Sequence, residues 1–138
     1  MSDELFHNFQ TAHQSIVDTL GQTQLLLRTY FKAKPKIREL SQKLLAHFSR
    51  QNSAFYDELR EIYEGNRQSL KIIDFLAHDL KETKIKYVEF IEKHSGEMDD
   101  INAKTFPVDF MNFSRMILTR INIEEEYLLP LIRIFPSK

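Results

Sequence analysis

Residues 120–131 read RINIEEEYLLPL: an arginine, three consecutive glutamates, then an apolar run closed by a proline. Thirteen residues from position 120, RINIEEEYLLPLI, align without a gap on HFSRQNSAFYDEL from position 47. The alignment pairs His47 with Arg120, Gln51 with Glu124, Asn52 with Glu125, and Phe55-Tyr56 with Leu128-Leu129. At about 100° per residue, Arg120 and Glu124 lie one turn apart near the middle of an apolar helical stripe made by Phe113, Met116, Ile117, Tyr127, Leu128 and Leu131. Charge inside such a stripe is costly to bury unless it is paired or holds an ion. The repeat places one such segment in each half of the chain, which suggests two helix pairs around a central site.

The rest of the chain extends this reading. Apolar residues recur at helical spacing in three further stretches: Phe6, Phe9, Ile16, Leu20 and Leu27; Ile37, Leu40, Leu44, Phe48, Phe55 and Ile62; and Leu70, Ile73, Ala77, Leu80, Tyr87, Val88 and Ile91. Breakers separate the stretches at Lys34-Pro35, Gly65-Asn66 and Ser95-Gly96, with a polar run from Met98 to Thr105 before Pro107. Pro35 and Pro107 suit first-turn positions, and Ser2 and Asn66 suit N-caps. The pattern predicts an all-α chain of four helices, each roughly 25 to 30 residues. Short connections make them antiparallel, so the expected fold is an up-and-down four-helix bundle formed by residues 1–138 as a single domain.

Composition narrows the function. Nineteen basic residues against twenty acidic ones, with no basic block interleaved with aromatics, argue against nucleic acid. The absence of cysteine excludes disulfides, thiolate metal sites and a cysteine nucleophile. No segment approaches eighteen uninterrupted apolar residues and the start MSDELFHNFQ is unlike a signal peptide, so a soluble, cytoplasmic protein without a membrane partner is expected. No phosphate-binding glycine loop, zinc-protease motif or hydrolase triad signature is present.

Five polar residues fall on the inward faces: His13 in the first stripe, His47 and Gln51 toward one edge of the second, Arg120 and Glu124 in the fourth. Arg120 and Glu124 are spaced to pair, which leaves Glu125 and Glu126 pointing toward flanks or solvent. His7 and His94 lie near helix ends, where solvated side chains are expected. Among the eleven Phe and five Tyr, most belong to the core, while Phe110 and Phe135 near the ends are candidates for a dimer surface.

The two repeated segments resemble the signature of the hemerythrin-like, or HHE cation-binding, family, His-x-x-x-Glu-Glu-x-x-Leu-Phe-Pro-x-Leu. Glu124-Glu125 followed by Leu128-Leu129-Pro130 is the nearest match. The resemblance implies further histidines on the first and third helices and two iron ions handling oxygen or nitric oxide. His13 and His47 fit the histidine positions, and Glu124 a carboxylate position, so these three form the candidate metal site. Gln51 stands at the first motif's carboxylate and Arg120 at the second motif's histidine. On the third helix His78 projects about 120° from the stripe, and Ala77 or Ile73 faces inward instead. An arginine 4 Å from an ion repels it by about 4 kcal/mol per unit of ion charge at an effective dielectric of 20. The site therefore reads as degenerate, with Arg120 supplying positive charge in place of iron.

That reading favours a non-enzymatic binding or regulatory protein, with a protein partner or a second copy of the chain, and no cofactor. The alternative is an iron protein that senses, stores or detoxifies oxygen or nitric oxide through His13, His47 and Glu124. A third reading starts from LAHDLKE at residues 76–82, which looks like the core of a histidine phosphotransfer domain using His78 and Lys81; Glu82 stands where that pattern has glycine.

Overall fold

A computed structural model describes residues 2–94, 96 and 100–133, with the side chains of Ser2 and Asp100 outside the description. All regular structure in it is helical: α1 (Ser2–Gln24), α2 (Tyr30–Ser49), α3 (Ser53–Ile62), α4 (Arg67–His94), α5 (Asp100–Ile123), a π-helical turn (Glu124–Leu128) and α6 (Leu129–Arg133). The pieces make four rods, because α3 continues α2 and the π turn joins α5 to α6. Helix α1 packs on α2, α5 and α6, while α4 packs on α2, α3 and α5.

Every rod buries residues at alternating steps of three and four. On α2 the row is Tyr30, Ala33, Ile37, Leu40, Leu44 and His47; on α4 it is Ile73, Leu76, Leu80, Thr83, Tyr87, Phe90 and His94. Phe9, His13, Ile16, Leu20 and Thr23 form the row of α1; Phe106, Phe110, Phe113, Ile117 and Arg120 form that of α5, continued by Glu124 in the π turn. This is the 3.5-residue seam of packed helices, and it accounts for an expectation that failed. Val88, one position off the α4 row, is 45% exposed instead of joining the core.

Three further differences bear on the site. The second rod is two helices, because Asn52 caps α3 by accepting the Phe55 N–H at 2.9 Å and so ends the helical register next to Gln51. Both internal prolines lie deeper than the first turn, Pro35 sixth in α2 and Pro107 eighth in α5. Burial of Tyr30, Ala33 and Phe106 on the turns before them offsets the lost backbone bond. Phe110 is fully buried, which removes it from any dimer surface, and Phe135 lies outside the described residues. Of the expected caps, Asn66 accepts the Ser69 N–H at 3.1 Å and starts α4 after Gly65 turns the chain at φ 87°. Ser2 is already the first residue of α1.

Candidate functional site

The five inward polar residues meet at the centre of the bundle. Glu124 is the hub, with no solvent exposure. Its Oε1 accepts from His13 Nε2 and from His47 Nε2, each at 2.7 Å. Its Oε2 accepts from Arg120 Nε at 2.7 Å and from Gln51 Nε2 at 2.9 Å. Two bonds to each oxygen use the whole accepting capacity of a carboxylate.

Arg120 is equally satisfied. Besides Nε, its Nη1 donates to the Leu76 carbonyl at 2.9 Å and to Asp79 Oδ2 at 3.0 Å. Its Nη2 donates to Gln51 Oε1 at 2.9 Å and to the Tyr56 hydroxyl at 3.1 Å. Those contacts engage all five N–H groups of a guanidinium. Tyr56 in turn donates to Gln51 Oε1 at 2.8 Å. With its oxygen held by Arg120 and Tyr56, Gln51 can present only its amide N–H to Glu124.

The π turn shapes the outer side of the cluster. In a regular helix the ring of Pro130 would collide with the carbonyl of Glu126, and no N–H would meet that carbonyl. The chain widens by one residue here, and the Leu129 N–H reaches back to the Glu124 carbonyl. Leu128 and Leu129 are both buried as a result, while Tyr127, expected in the core, is 40% exposed. Glu126 points to solvent as anticipated, but Glu125 does not stay clear of the site. Its Oε1 accepts from His13 Nδ1 at 2.6 Å.

These contacts fix the charges. Burial alone would push the Glu124 carboxyl up; hydrogen bonds from His13 and His47 and the Arg120 charge instead hold it well below the usual carboxylate range. Burial likewise works against a charged His13, yet its bonds to Glu124 and Glu125 raise its pKa above the ordinary 6.5. For Arg120 the burial penalty is overcome chiefly by the Glu124 charge. Burial pushes the Tyr56 hydroxyl up to about 12, so it remains a neutral donor. One buried atom among the described side chains, His47 Nδ1, has no partner.

As a donor set, His13, His47 and Glu124 each offer one ligand atom within 4.8 Å of the others. Nitrogen and carboxylate ligands of this kind suit one zinc-like or iron-like divalent ion. A second ion would have to share the space with the guanidinium and the amide N–H of Gln51, and the residues do not fit two.

On α4, Ile73 is buried and His78 exposed, as expected. Ala77 is half-buried and takes no part in the cluster. The helix contributes the Leu76 carbonyl and Asp79 instead. Asp79 flanks the buried row between Leu76 and Thr83, a position that periodicity alone could have flagged. Tyr56 follows the break in the second rod, and no register carried across that break would find it.

A second polar group lies at the bundle end where α4 finishes. His94, expected in solvent, is fully buried between the rings of Tyr30, Phe90 and Phe106. Its Nε2 meets Asp109 Oδ2 at 2.8 Å and its Nδ1 meets the Tyr30 hydroxyl at 3.3 Å. Lys93 pairs with the same Asp109 oxygen at 2.9 Å. His7 is exposed as expected.

Comparison of the chain with protein-family models, with curated proteins and with solved structures finds no match.

Proposed function

We propose that this chain is a hemerythrin-like, antiparallel up-and-down bundle in which an arginine provides the charge that metal supplies in the family it resembles. In this reading it works as a non-enzymatic binding or regulatory protein of the cytoplasm, with a protein partner or a second copy of itself. The observation that carries it is the closed network around Glu124: four donors fill the carboxylate, and every N–H of Arg120 has an acceptor. Around Glu124 and Arg120, such a cluster meets its charge and hydrogen-bond demands with protein groups alone, and His47 Nδ1 is the one buried atom among the described side chains left without a partner. The short connections between successive rods support the antiparallel arrangement.

The test is metal analysis of protein expressed in iron-supplemented medium. Substoichiometric iron and a featureless visible spectrum are expected. Stoichiometric iron with a charge-transfer band would overturn the reading.

A second reading is favoured by one contact. Glu125 holds His13 Nδ1 at 2.6 Å, as an outer carboxylate orients a metal-bound histidine. His13, His47 and Glu124 would then hold a single ion, which when bound supplies the redox or Lewis-acid chemistry that the resemblance implies toward oxygen or nitric oxide. The chain's own part is to give up the histidine protons now shared with Glu124, so uptake should weaken as pH falls. Titration with ferrous or zinc ion at two pH values separates the readings: tight, proton-linked uptake lost in His13→Ala supports the second, and no uptake supports the first.

A further inference from the structure

The three most exposed large apolar side chains among the described residues are Leu25 at 86%, Ile101 at 74% and Phe31 at 73%. All three belong to one end of the bundle. Leu25 lies in the connection from α1 to α2, Phe31 is second in α2, and Ile101 is second in α5. The two helix starts are neighbours, since the Tyr30 and Phe106 rings lie 5.1 Å apart and Tyr30 also reaches His94 at the end of α4.

Charge at this end is one-sided along the α1–α2 corner. Residues 25–38 contain Arg28, Lys32, Lys34, Lys36 and Arg38, and no acid. Lys36 is engaged with Gln22 and Glu39. No carboxylate among the described residues pairs with Arg28, Lys32, Lys34 or Arg38. Phe31 and Pro35 share one shallow groove with Lys32, Lys34 and Arg38. The sequence just before Ile101 is acidic, with Glu97, Asp99 and Asp100, so Ile101 is secondary in the proposal.

We propose that this end docks on an anionic lipid bilayer, with Leu25 and Phe31 entering the headgroup region and the four unpaired cations lying against lipid phosphates. Two apolar side chains that protrude singly among long cationic ones match an interfacial membrane anchor, because the lysine and arginine stems can follow the apolar tips while their charges stay in the headgroup layer. Among the described residues no helix is long and apolar enough to cross a membrane, which bears only on crossing the bilayer. The proposal is independent of the Glu124 cluster, and either can fail without the other.

Co-sedimentation of the full chain with vesicles tests it. Binding to phosphatidylglycerol-containing vesicles, none to pure phosphatidylcholine, and release by salt are expected. Leu25→Ser with Phe31→Ser should weaken partitioning at least tenfold. Lys32→Gln with Lys34→Gln should weaken it about fivefold per lysine, and Ile101→Ser should do less than Phe31→Ser. Leu25, Phe31, Lys32 and Ile101 are exposed and Lys34 is half-buried, so the leucine, phenylalanine and isoleucine variants should keep the parent's melting temperature and the lysine pair should stay close to it. No partitioning, or equal partitioning to neutral vesicles, overturns the proposal. So does equally tight binding of soluble glycerol phosphate, which would mark a free-anion site, or a dimer that Phe31→Ser dissociates.

Discussion

Two buried histidine–carboxylate groups lie at different depths in the same bundle, and depth separates their chemistry. Glu124 is sealed from solvent, and its neighbours include the fixed cation Arg120 with all five N–H groups engaged. Asp109, bonded to the buried His94, keeps 29% of its side chain exposed and is matched by Lys93, itself 43% exposed. A carboxylate at the rim can draw on water and a flexible lysine. One at the centre requires an arginine, a metal ion or a proton, because an uncompensated charge there is far too costly.

The largest expected effect comes from breaking the deep group. Arg120→Leu strands Glu124 and leaves Gln51, Tyr56 and Asp79 short of a donor, and should destabilise the fold by about 3–5 kcal/mol in urea denaturation. Adding Glu124→Leu should restore at least half of that loss, because the orphaned charge is gone. At the rim, His94→Leu removes bonds to Tyr30 and Asp109 while Lys93 and water remain available to the acid. Its cost in the same experiment should be about 1–2 kcal/mol. Equal losses in Arg120→Leu and His94→Leu would erase the distinction between the groups.

Titration sharpens the contrast. His13 has a raised pKa in the folded chain, so its contribution is fully present below its ordinary 6.5 and is lost as pH rises through the folded value. The parent should therefore lose stability relative to His13→Gln as pH rises from about neutral, and Glu125→Gln should shrink that slope. Asp109 is lowered: burial would raise it, but the Lys93 and His94 bonds prevail. Its contribution holds above the ordinary 3.8 and disappears as pH falls through the folded value, a loss that His94→Leu should reduce. The smallest effect is expected from Lys93→Ala, under about 1 kcal/mol and weakened by salt in thermal melts.

The sequence made the centre legible because His13, His47, Gln51, Arg120 and Glu124 all occupy turns of an otherwise apolar helical face, where periodicity is informative. The pairing of Arg120 with Glu124 followed from their spacing of four. What escaped depends on interruptions of the regular helix or on distant packing. Glu125 reaches His13 beside the π turn forced near Pro130, and Tyr56 enters only after Asn52 has reset the second rod. His94 looked like a frayed helix end, yet Tyr30 and Phe106 arrive from two other helices to cover it. Asp79 was within reach of periodic reading, but its use requires the full length of the Arg120 side chain.

The central claim is that the Glu124 cluster is complete without a metal ion. Urea denaturation of the parent chain, first in chelator and then with ferrous ion under anaerobic conditions, measures this directly. The two curves should share a midpoint, because a network already filled by Arg120, Gln51, His13 and His47 gains nothing from added ion. A specific site at about one hundred times its dissociation constant would instead add ~2.7 kcal/mol. A shift of that size, abolished in Glu124→Gln, would contradict the claim.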